Sequence, residues 1–140
     1  MTVPRVYEGN RFNQMEKLVR MTSLFEKVVY GEIDKPMLKY LSKINKFHFA
    51  MTTQCCTGHQ GKKGQQAHIS LRFNLDPDEV ITKIIRPLQG SYGIDVHLMT
   101  EANRLRYVFW LDNKRWKEEL NVLIELLGEI KEEVPKNERK

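Results

Sequence analysis

Four stretches of the chain carry apolar residues at three- and four-residue intervals, the period of an amphipathic α-helix. The first covers residues 12–30 and is expected to end near Gly31. The second begins after Asp34, a residue type that caps helix N-termini, and has Pro36 in its first turn. These two stretches predict a pair of helices near the start of the chain.

Two further helices are predicted on the same grounds. One starts at Asp76 and Pro77 and is expected to stop near Pro87, because proline has no amide hydrogen for the helical ladder. The other is capped by Asp112 and carries a long apolar stripe that extends to Ile130.

Four other stretches alternate apolar and polar residues, the period of a half-buried β-strand. Residues 47–54 and 67–74 make one predicted hairpin, and residues 93–99 and 104–111 make another. The element order ααββαββα predicts an α+β fold of two layers, in which helices cover one face of a mostly antiparallel four-stranded sheet. Residues 1–140 are expected to form a single domain with a flexible charged tail from about residue 135.

The composition narrows the class of protein. Of the 140 residues only 2 are cysteines, and 41% are hydrophobic, so a disulfide-rich secreted scaffold is excluded. No apolar run approaches the roughly 18 residues of a membrane-spanning helix, and the first ten residues lack the apolar core of a signal peptide. We expect a cytoplasmic protein with reduced thiols and no membrane partner, and the sequence leaves its oligomeric state open.

The basic residues are distributed unevenly. The formal net charge is +5, yet residues 35–75 contain no Asp or Glu. Such a segment predicts an anionic ligand, and the alternative is that its lysines only solvate helix and loop surfaces. Its basic residues are Lys35, Lys39, Lys43, Lys46, Lys62, Lys63 and Arg72.

The acid-free segment contains a turn with reactive side chains at the end of the first predicted strand. Gly58 permits backbone conformations in which successive N–H groups converge on an anion, and Lys62 and Lys63 add positive charge. Cys56 and His59 are close enough in sequence for the imidazole to favour the thiolate, which a nucleophilic cysteine requires. We therefore predict Cys56 and His59 as catalytic residues.

Several neighbouring residues are predicted to bind the substrate or another anion. For Cys55 the competing interpretation is packing as a small apolar residue, because one of two adjacent strand residues faces inward. A zinc site of Cys56, His59 and His68 is a further alternative, whereas His97 is interpreted as a structural strand residue. The predicted substrate- or anion-binding residues are Thr52, Thr53, Cys55, Thr57, Gly58, Lys62, Lys63 and Arg72.

A family resemblance rests on the same turn. The sequence Thr-Thr-Gln-Cys-Cys-Thr-Gly-His at residues 52–59 follows Leu-Ser-Lys-Ile-Asn at residues 41–45. It resembles the signature of the wybutosine-pathway tRNA methyltransferases, where a helix ending in Ile-Asn precedes a strand and the turn Thr-Thr-Ser-Ser-Cys-Ser-Gly-Arg. The turn is also similar to one in small uncharacterised proteins of prokaryotes and their viruses. The positions that match the methyltransferase turn are Thr52, Thr53, Cys56 and Gly58.

The resemblance implies an RNA-directed protein, with tRNA as the expected RNA and S-adenosylmethionine as the expected cofactor, because members of that family methylate a hypermodified guanosine of phenylalanine tRNA. A relative that kept the fold without the reaction is included in this hypothesis. The second hypothesis is a noncatalytic nucleic-acid-binding or interaction protein of a small or mobile genome, with Arg104, Arg106 and Tyr107 as a basic and aromatic surface. The third is a zinc- or thiol-dependent hydrolase.

Overall fold

The computed structural model describes residues 11–29, 35–56, 66–101 and 104–130. Within these ranges the predicted order ααββαββα and the α+β class are confirmed. The tail predicted from about residue 135 lies outside them. The elements are α1 (Gln14–Val29), α2 (Lys35–Asn45), β1 (Ala50–Cys56), β2 (His68–Phe73), α3 (the consecutive segments Pro77–Val80, Ile81–Ile85 and Arg86–Tyr92), β3 (Asp95–Glu101), β4 (Arg104–Trp110) and α4 (Trp116–Glu129).

The four strands form one antiparallel sheet in the order β1-β2-β4-β3. Both predicted hairpins are present, since β1 pairs with β2 and β3 pairs with β4. The hairpins are joined by pairing of β2 with β4, which places His68 opposite Trp110 and Leu71 opposite Tyr107. Antiparallel partners that lie opposite each other project from the same side of a sheet, so this register determines which side chains share a face.

The main hydrophobic core lies between the sheet and helices α2, α3 and α4. The sheet contributes Ile69, Leu71 and Phe109, all completely buried, and α4 contributes Leu120 and Leu127. Burying an aliphatic or aromatic side chain of this size stabilises the fold by roughly 1.5–3 kcal/mol relative to its exposure. We call the side of the sheet that carries these residues the core face, and the opposite side the second face.

Helix α1 partly covers the second face. Phe12, just before α1, exchanges two hydrogen bonds with Asn74: its N–H donates to Asn74 Oδ1 (2.9 Å), and its carbonyl accepts from Asn74 Nδ2 (2.8 Å). Met51 of β1 is only 1% exposed although its neighbours Ala50 and Thr52 are on the core face. The prediction of a half-buried strand over residues 47–54 is therefore wrong in two respects, because β1 begins at Ala50 and its residues 50–53 are buried on both faces of the sheet.

The apolar stripe of α1 identifies the helix but not its buried side. Leu24 is 4% exposed and joins the core, whereas Met15, Leu18 and Val19 are 60–68% exposed. Lys17 is buried and donates from Nζ to the carbonyl oxygen of Phe47 (2.6 Å). The lysine therefore connects α1 to the turn that precedes β1.

Helix α3 does not stop near Pro87, and that prediction is wrong. The segment Ile81–Ile85 is a π-helical turn, in which the N–H of Arg86 donates to the carbonyl of Ile81, five residues earlier. This wider turn shifts the hydrogen-bond ladder by one residue and places Pro87 in the first turn of the next α-helical segment, where no N–H is needed. The helix consequently continues to Tyr92.

Gly93 is the residue that ends α3. The predicted start of a strand at this residue is therefore wrong. Its φ of 65° is in the left-handed region that glycine adopts without a steric penalty. Its N–H donates to the carbonyl of Gln89 (3.0 Å), which satisfies one of the last carbonyl groups of the helix. Strand β3 then starts at Asp95.

The cap of the last helix predicted at Asp112 is wrong, because the N-cap residue of α4 is Arg115 and no side chain caps it. Asp112 instead stabilises the turn that precedes α4. Its Oδ1 accepts hydrogen bonds from the N–H groups of Lys114 (2.7 Å) and Arg115 (3.1 Å), and α4 begins at Trp116. In return, Glu119 Oε1 accepts from the N–H of Asp112 (2.7 Å). The two acidic side chains thus satisfy backbone donors of the turn that leads into α4.

Glu119 should make stability depend on pH. Burial raises the pKa of this carboxyl group, and the hydrogen bond from Asp112 and the charge of Arg115 only partly oppose the effect. Because the pKa is higher in the folded than in the unfolded protein, protonation favours folding, and this contribution is lost as the pH rises through the folded value. Glu119→Gln keeps the acceptor oxygen but cannot ionise. We therefore expect the free energy of unfolding of Glu119→Gln, relative to that of wild type, to be higher near neutral pH than near pH 4.

Urea unfolding of both proteins across this pH range measures the effect. Glu125→Gln, at an exposed position of the same helix, is the matched control and should run parallel to wild type. Parallel stability curves for Glu119→Gln and wild type would contradict the assignment.

None of the helices in the described ranges combines the length and apolarity needed to cross a lipid bilayer.

Candidate functional site

The Ile-Asn end of α2 is tied to the start of the predicted site. Asn45 Nδ2 donates to the Leu41 carbonyl (2.8 Å) and to Thr52 Oγ1 (3.0 Å), while Asn45 Oδ1 accepts from the N–H of Thr52 (3.1 Å). Asn45 and Thr52 are both buried. The carboxamide therefore fixes the position of β1 relative to α2.

A β-bulge at Thr53 determines which side chains leave β1 on each face. Thr52 lies opposite Leu71 and Gln54 lies opposite Ser70, so Thr53 is the additional residue. Its hydroxyl donates to the Ser70 carbonyl (3.2 Å). Both threonine hydroxyls, Thr52 and Thr53, thus have structural partners here, and ligand binding by either one stays a prediction.

The bulge also determines which face of the sheet Cys55 occupies. Strict alternation from Ala50 would put Cys56 on the core face, but the extra residue moves Cys55 there, opposite Ile69. Cys55 is half-buried and packs against the core. The structure therefore favours the packing interpretation of Cys55, with Gln54 exposed beside it.

Most of the predicted turn falls outside the described residues: this holds for Thr57, Gly58, His59, Lys62 and Lys63, and for the side chain of Cys56. The backbone of Cys56 lies opposite His68, so residues 57–67 connect these two strand ends. Within the described ranges no group of three or more His, Cys, Asp and Glu residues is placed to hold a metal ion. The predicted zinc set of Cys56, His59 and His68 stays a prediction.

Arg72, predicted to contact phosphate, is held inside the protein. It is 6% exposed, its Nη1 is 3.5 Å from Glu16 Oε2, and its guanidinium lies 5.8 Å from the centre of the Phe12 ring. These contacts join the second face of the sheet to α1. Contact of Arg72 with a phosphate stays a prediction, and any ligand would meet a guanidinium already paired with a carboxylate.

Arg72 also lines a groove between α1 and the sheet, with a volume of about 540 Å³. This is within the range of roughly 300–1,000 Å³ that is typical of small-molecule sites. The groove combines charged and apolar walls. Its charged residues are Glu16, Arg20 and Arg72, and its apolar residues are Met15, Val19 and Met51.

A cluster of one tryptophan and two histidines lies near the first residue of β2, at the end of this strand opposite to Arg72. The ring centres of His68 and Trp110 are 5.1 Å apart, and those of His97 and Trp110 are 6.1 Å apart. His68 and Trp110 are half-buried and His97 is exposed. Since β2, β4 and β3 are neighbours, the sheet brings together residues that are distant in sequence. We call His68, Trp110 and His97 the indole platform.

Hydrogen bonds fix the proton positions of both imidazoles. The indole N–H of Trp110 can only donate, so His97 Nδ1 (3.1 Å away) accepts and the ring proton of neutral His97 is on Nε2. His68 Nδ1 is 3.1 Å from the carbonyl oxygen of Gln66, which can only accept, so His68 Nδ1 carries a proton. Neutral His68 therefore has its lone pair on Nε2. The two imidazoles present opposite hydrogen-bonding groups beside one indole.

Tyr107 is buried, so the prediction that it forms a basic and aromatic surface with Arg104 and Arg106 is wrong at this residue. It is 3% exposed and packs against Phe73, with ring centres 5.5 Å apart, on the core face. Arg106, next to it, lies on the second face opposite Met99. Alternation along β4 places Tyr107 on the core face and Trp110 on the second face. The period of two is therefore the sequence signal that identifies Trp110 as the more exposed aromatic residue of this strand.

Helix α2 presents a row of lysines to solvent. Lys35, Lys39 and Lys43 of α2 and Lys46, the residue after it, are all exposed, while Met37 and Ile44 of α2 are completely buried. The exposed lysines are therefore separated from the buried residues of α2. We call these four residues the lysine ridge.

Comparison with known proteins supports the fold but adds no activity. No family model matches the chain, and no curated protein matches it. The solved structure of the PH1069 protein from Pyrococcus horikoshii is similar, with a TM-score of 0.58 and 12% sequence identity. The match covers 81% of this chain and 95% of that protein. At this identity the likeness shows a shared fold.

Proposed function

We propose that this is an RNA-directed protein, related in activity or in fold to the S-adenosylmethionine-dependent tRNA methyltransferases. The observation that carries the RNA part is the lysine ridge. Three exposed lysines project from α2 and a fourth, Lys46, follows its last residue, and residues 35–75 contain no Asp or Glu. Such a row contacts successive phosphates of a nucleic-acid backbone and releases its condensed counterions.

The ridge leads directly to the other predicted contacts. Helix α2 is bonded through Asn45 to β1, and β1 ends where the segment with Gly58, Lys62 and Lys63 begins. We propose that the two lysines extend the phosphate-binding surface and that Cys56 and His59 lie near the reacting or recognised group. A noncatalytic nucleic-acid-binding protein would use the same surface without a cofactor.

We propose that the groove beside α1 holds the methyl donor, which its charged and apolar lining and its volume support. S-adenosylmethionine has a carboxylate that suits Arg20 or Arg72, a cationic amino group that suits Glu16, and an aliphatic chain that suits the apolar walls formed with Met51. When bound, it supplies an electrophilic methyl group. Calorimetric titration with S-adenosylmethionine separates the two forms of the proposal, since absence of binding would leave only the noncatalytic one.

Charge reversal on the ridge tests RNA binding. We expect Lys39→Glu/Lys43→Glu to weaken binding to tRNA and to single-stranded RNA by about tenfold or more at low salt, and to reduce the slope of log affinity against log salt by about 2, one for each phosphate contact. Fluorescence anisotropy over a salt series measures both quantities. Circular dichroism confirms that the variant is folded.

The matched control is Lys114→Glu/Lys117→Glu, which changes net charge equally at two exposed lysines near the start of α4. If both variants weaken binding to the same extent, net charge and not the ridge is responsible. If neither affects affinity or its salt slope, the lysines only solvate the surface. Lys62→Glu/Lys63→Glu, measured in parallel, tests whether the segment after β1 belongs to the same interface.

A further inference from the structure

We propose that Trp110 is a stacking site for an unpaired nucleobase, whose polar edge is bound by the two imidazoles of the indole platform. The inference rests on the proposed function for the presence of RNA, but it is carried by different residues. The lysine ridge lies on α2 and at its C-terminal end, whereas the platform lies on β2, β3 and β4. The ridge contacts phosphates without regard to sequence, and the platform would contact a base.

The environment of Trp110 differs from that of the core aromatic residues. Phe109 and Tyr107 of the same strand are 0% and 3% exposed, and both are on the core face. Trp110 is half-buried on the second face, and its indole N–H bonds to an imidazole and not to the backbone. Sequence-tolerant binding of single-stranded nucleic acids uses aromatic side chains of this kind, because every base has a π-face that stacks on them.

The two imidazoles supply complementary groups for a base edge. His97 retains an Nε2–H donor because its Nδ1 accepts from Trp110. Neutral His68 retains an Nε2 acceptor because its Nδ1 donates to Gln66. Bases carry donors and acceptors side by side on their edges, so a base on the indole has a partner of either kind.

Asp95 adds a preference among bases. It is exposed and lies opposite Trp110 in the pairing of β3 with β4, so it is on the same face. A carboxylate accepts hydrogen bonds from exocyclic amino groups and repels an isolated phosphate. Adenine and cytosine carry such an amino group and uracil does not. We therefore infer that the platform binds adenine or cytosine in preference to uracil.

Two substitutions separate stacking from packing. Trp110→Phe keeps an aromatic face, and Trp110→Leu keeps apolar bulk without one. We expect Trp110→Phe to retain most of the affinity for short adenine and cytosine homopolymers, and Trp110→Leu to lose about 10- to 100-fold. The salt slope should stay unchanged in both variants, because no phosphate contact is removed. Asp95→Asn should reduce the preference of adenine and cytosine over uracil.

Tryptophan fluorescence gives a second, direct measurement. Trp116, 8% exposed, is the other tryptophan, so a Trp116→Phe background reports on Trp110 alone. Adenine homopolymer should quench this emission and protect it from acrylamide. If RNA binds while Trp110→Phe and Trp110→Leu behave alike and emission is unaffected, the stacking inference is overturned and the proposed function stands. If wild type binds no RNA, both fail.

Discussion

Replacing Asn45 by Ala should lower the free energy of unfolding by about 2–5 kcal/mol, because three buried hydrogen bonds end on its carboxamide. Removal of the side chain leaves the N–H of Thr52 without its partner in a strand position that is 0% exposed. Each buried polar group left unsatisfied costs roughly 1–3 kcal/mol. Urea unfolding followed by circular dichroism measures the loss.

Two related variants show whether the hydrogen bonds are responsible. Thr52→Val removes only the hydroxyl that accepts from Asn45 and should cost less, and the double variant should cost less than the sum of the two singles. Asn121→Ala, at an exposed position of α4, should change stability by no more than about 0.5 kcal/mol. An Asn45→Ala protein as stable as Asn121→Ala would show that Asn45 does not hold α2 against β1.

Replacing Phe109 by Ala should cost about 3–5 kcal/mol, since the ring is completely buried at the centre of the sheet. Phe109 lies opposite Ile69 in β2 and opposite Val96 in β3, and its ring meets that of Phe73 edge to face at 6.5 Å. A loss of this size is a large share of the roughly 5–15 kcal/mol that stabilises a typical domain.

Phe109→Leu tests whether packing volume explains the effect. Leucine fills most of the space, so we expect a loss of only about 1–1.5 kcal/mol. Leu18→Ala, at a position 60% exposed on α1, serves as the apolar surface control and should change stability by about 0.5 kcal/mol or less. Thermal and urea unfolding should give the same ranking. Equal losses for Phe109→Ala and Leu18→Ala would contradict the position of the core.

Local patterns in the sequence predict most of the elements, because the period of apolar residues reflects contacts between near neighbours in the chain. The two hairpins are of this kind. The extension of α3 past Pro87 is not, because a single π-helical turn removes the conflict that normally ends a helix at proline. Burial of Met51 likewise depends on α1 crossing to the second face, which no alternation within β1 records.

The candidate site was predictable only in part, for the same reason. The turn chemistry near Cys56 is visible in one short stretch of sequence. The indole platform is not, because His68, His97 and Trp110 belong to three strands and meet only through the register of the sheet. In β4 the alternation is consistent with the observed faces. The error was to predict Tyr107 as a surface residue, although its position opposite the buried Leu71 places it on the core face.

The pairing of β2 with β4 has a consequence for folding kinetics. Each hairpin closes a short stretch of chain, whereas this central ladder joins residues 68 and 110 across all of α3. Ladders with a large sequence separation form late, because the entropy of loop closure must be overcome before their contacts are gained. His68 and Trp110 face each other across this ladder, so the platform should be assembled in the last stage of folding. In a Trp116→Phe protein, indole emission should therefore change after the circular dichroism signal of the helices in a refolding experiment.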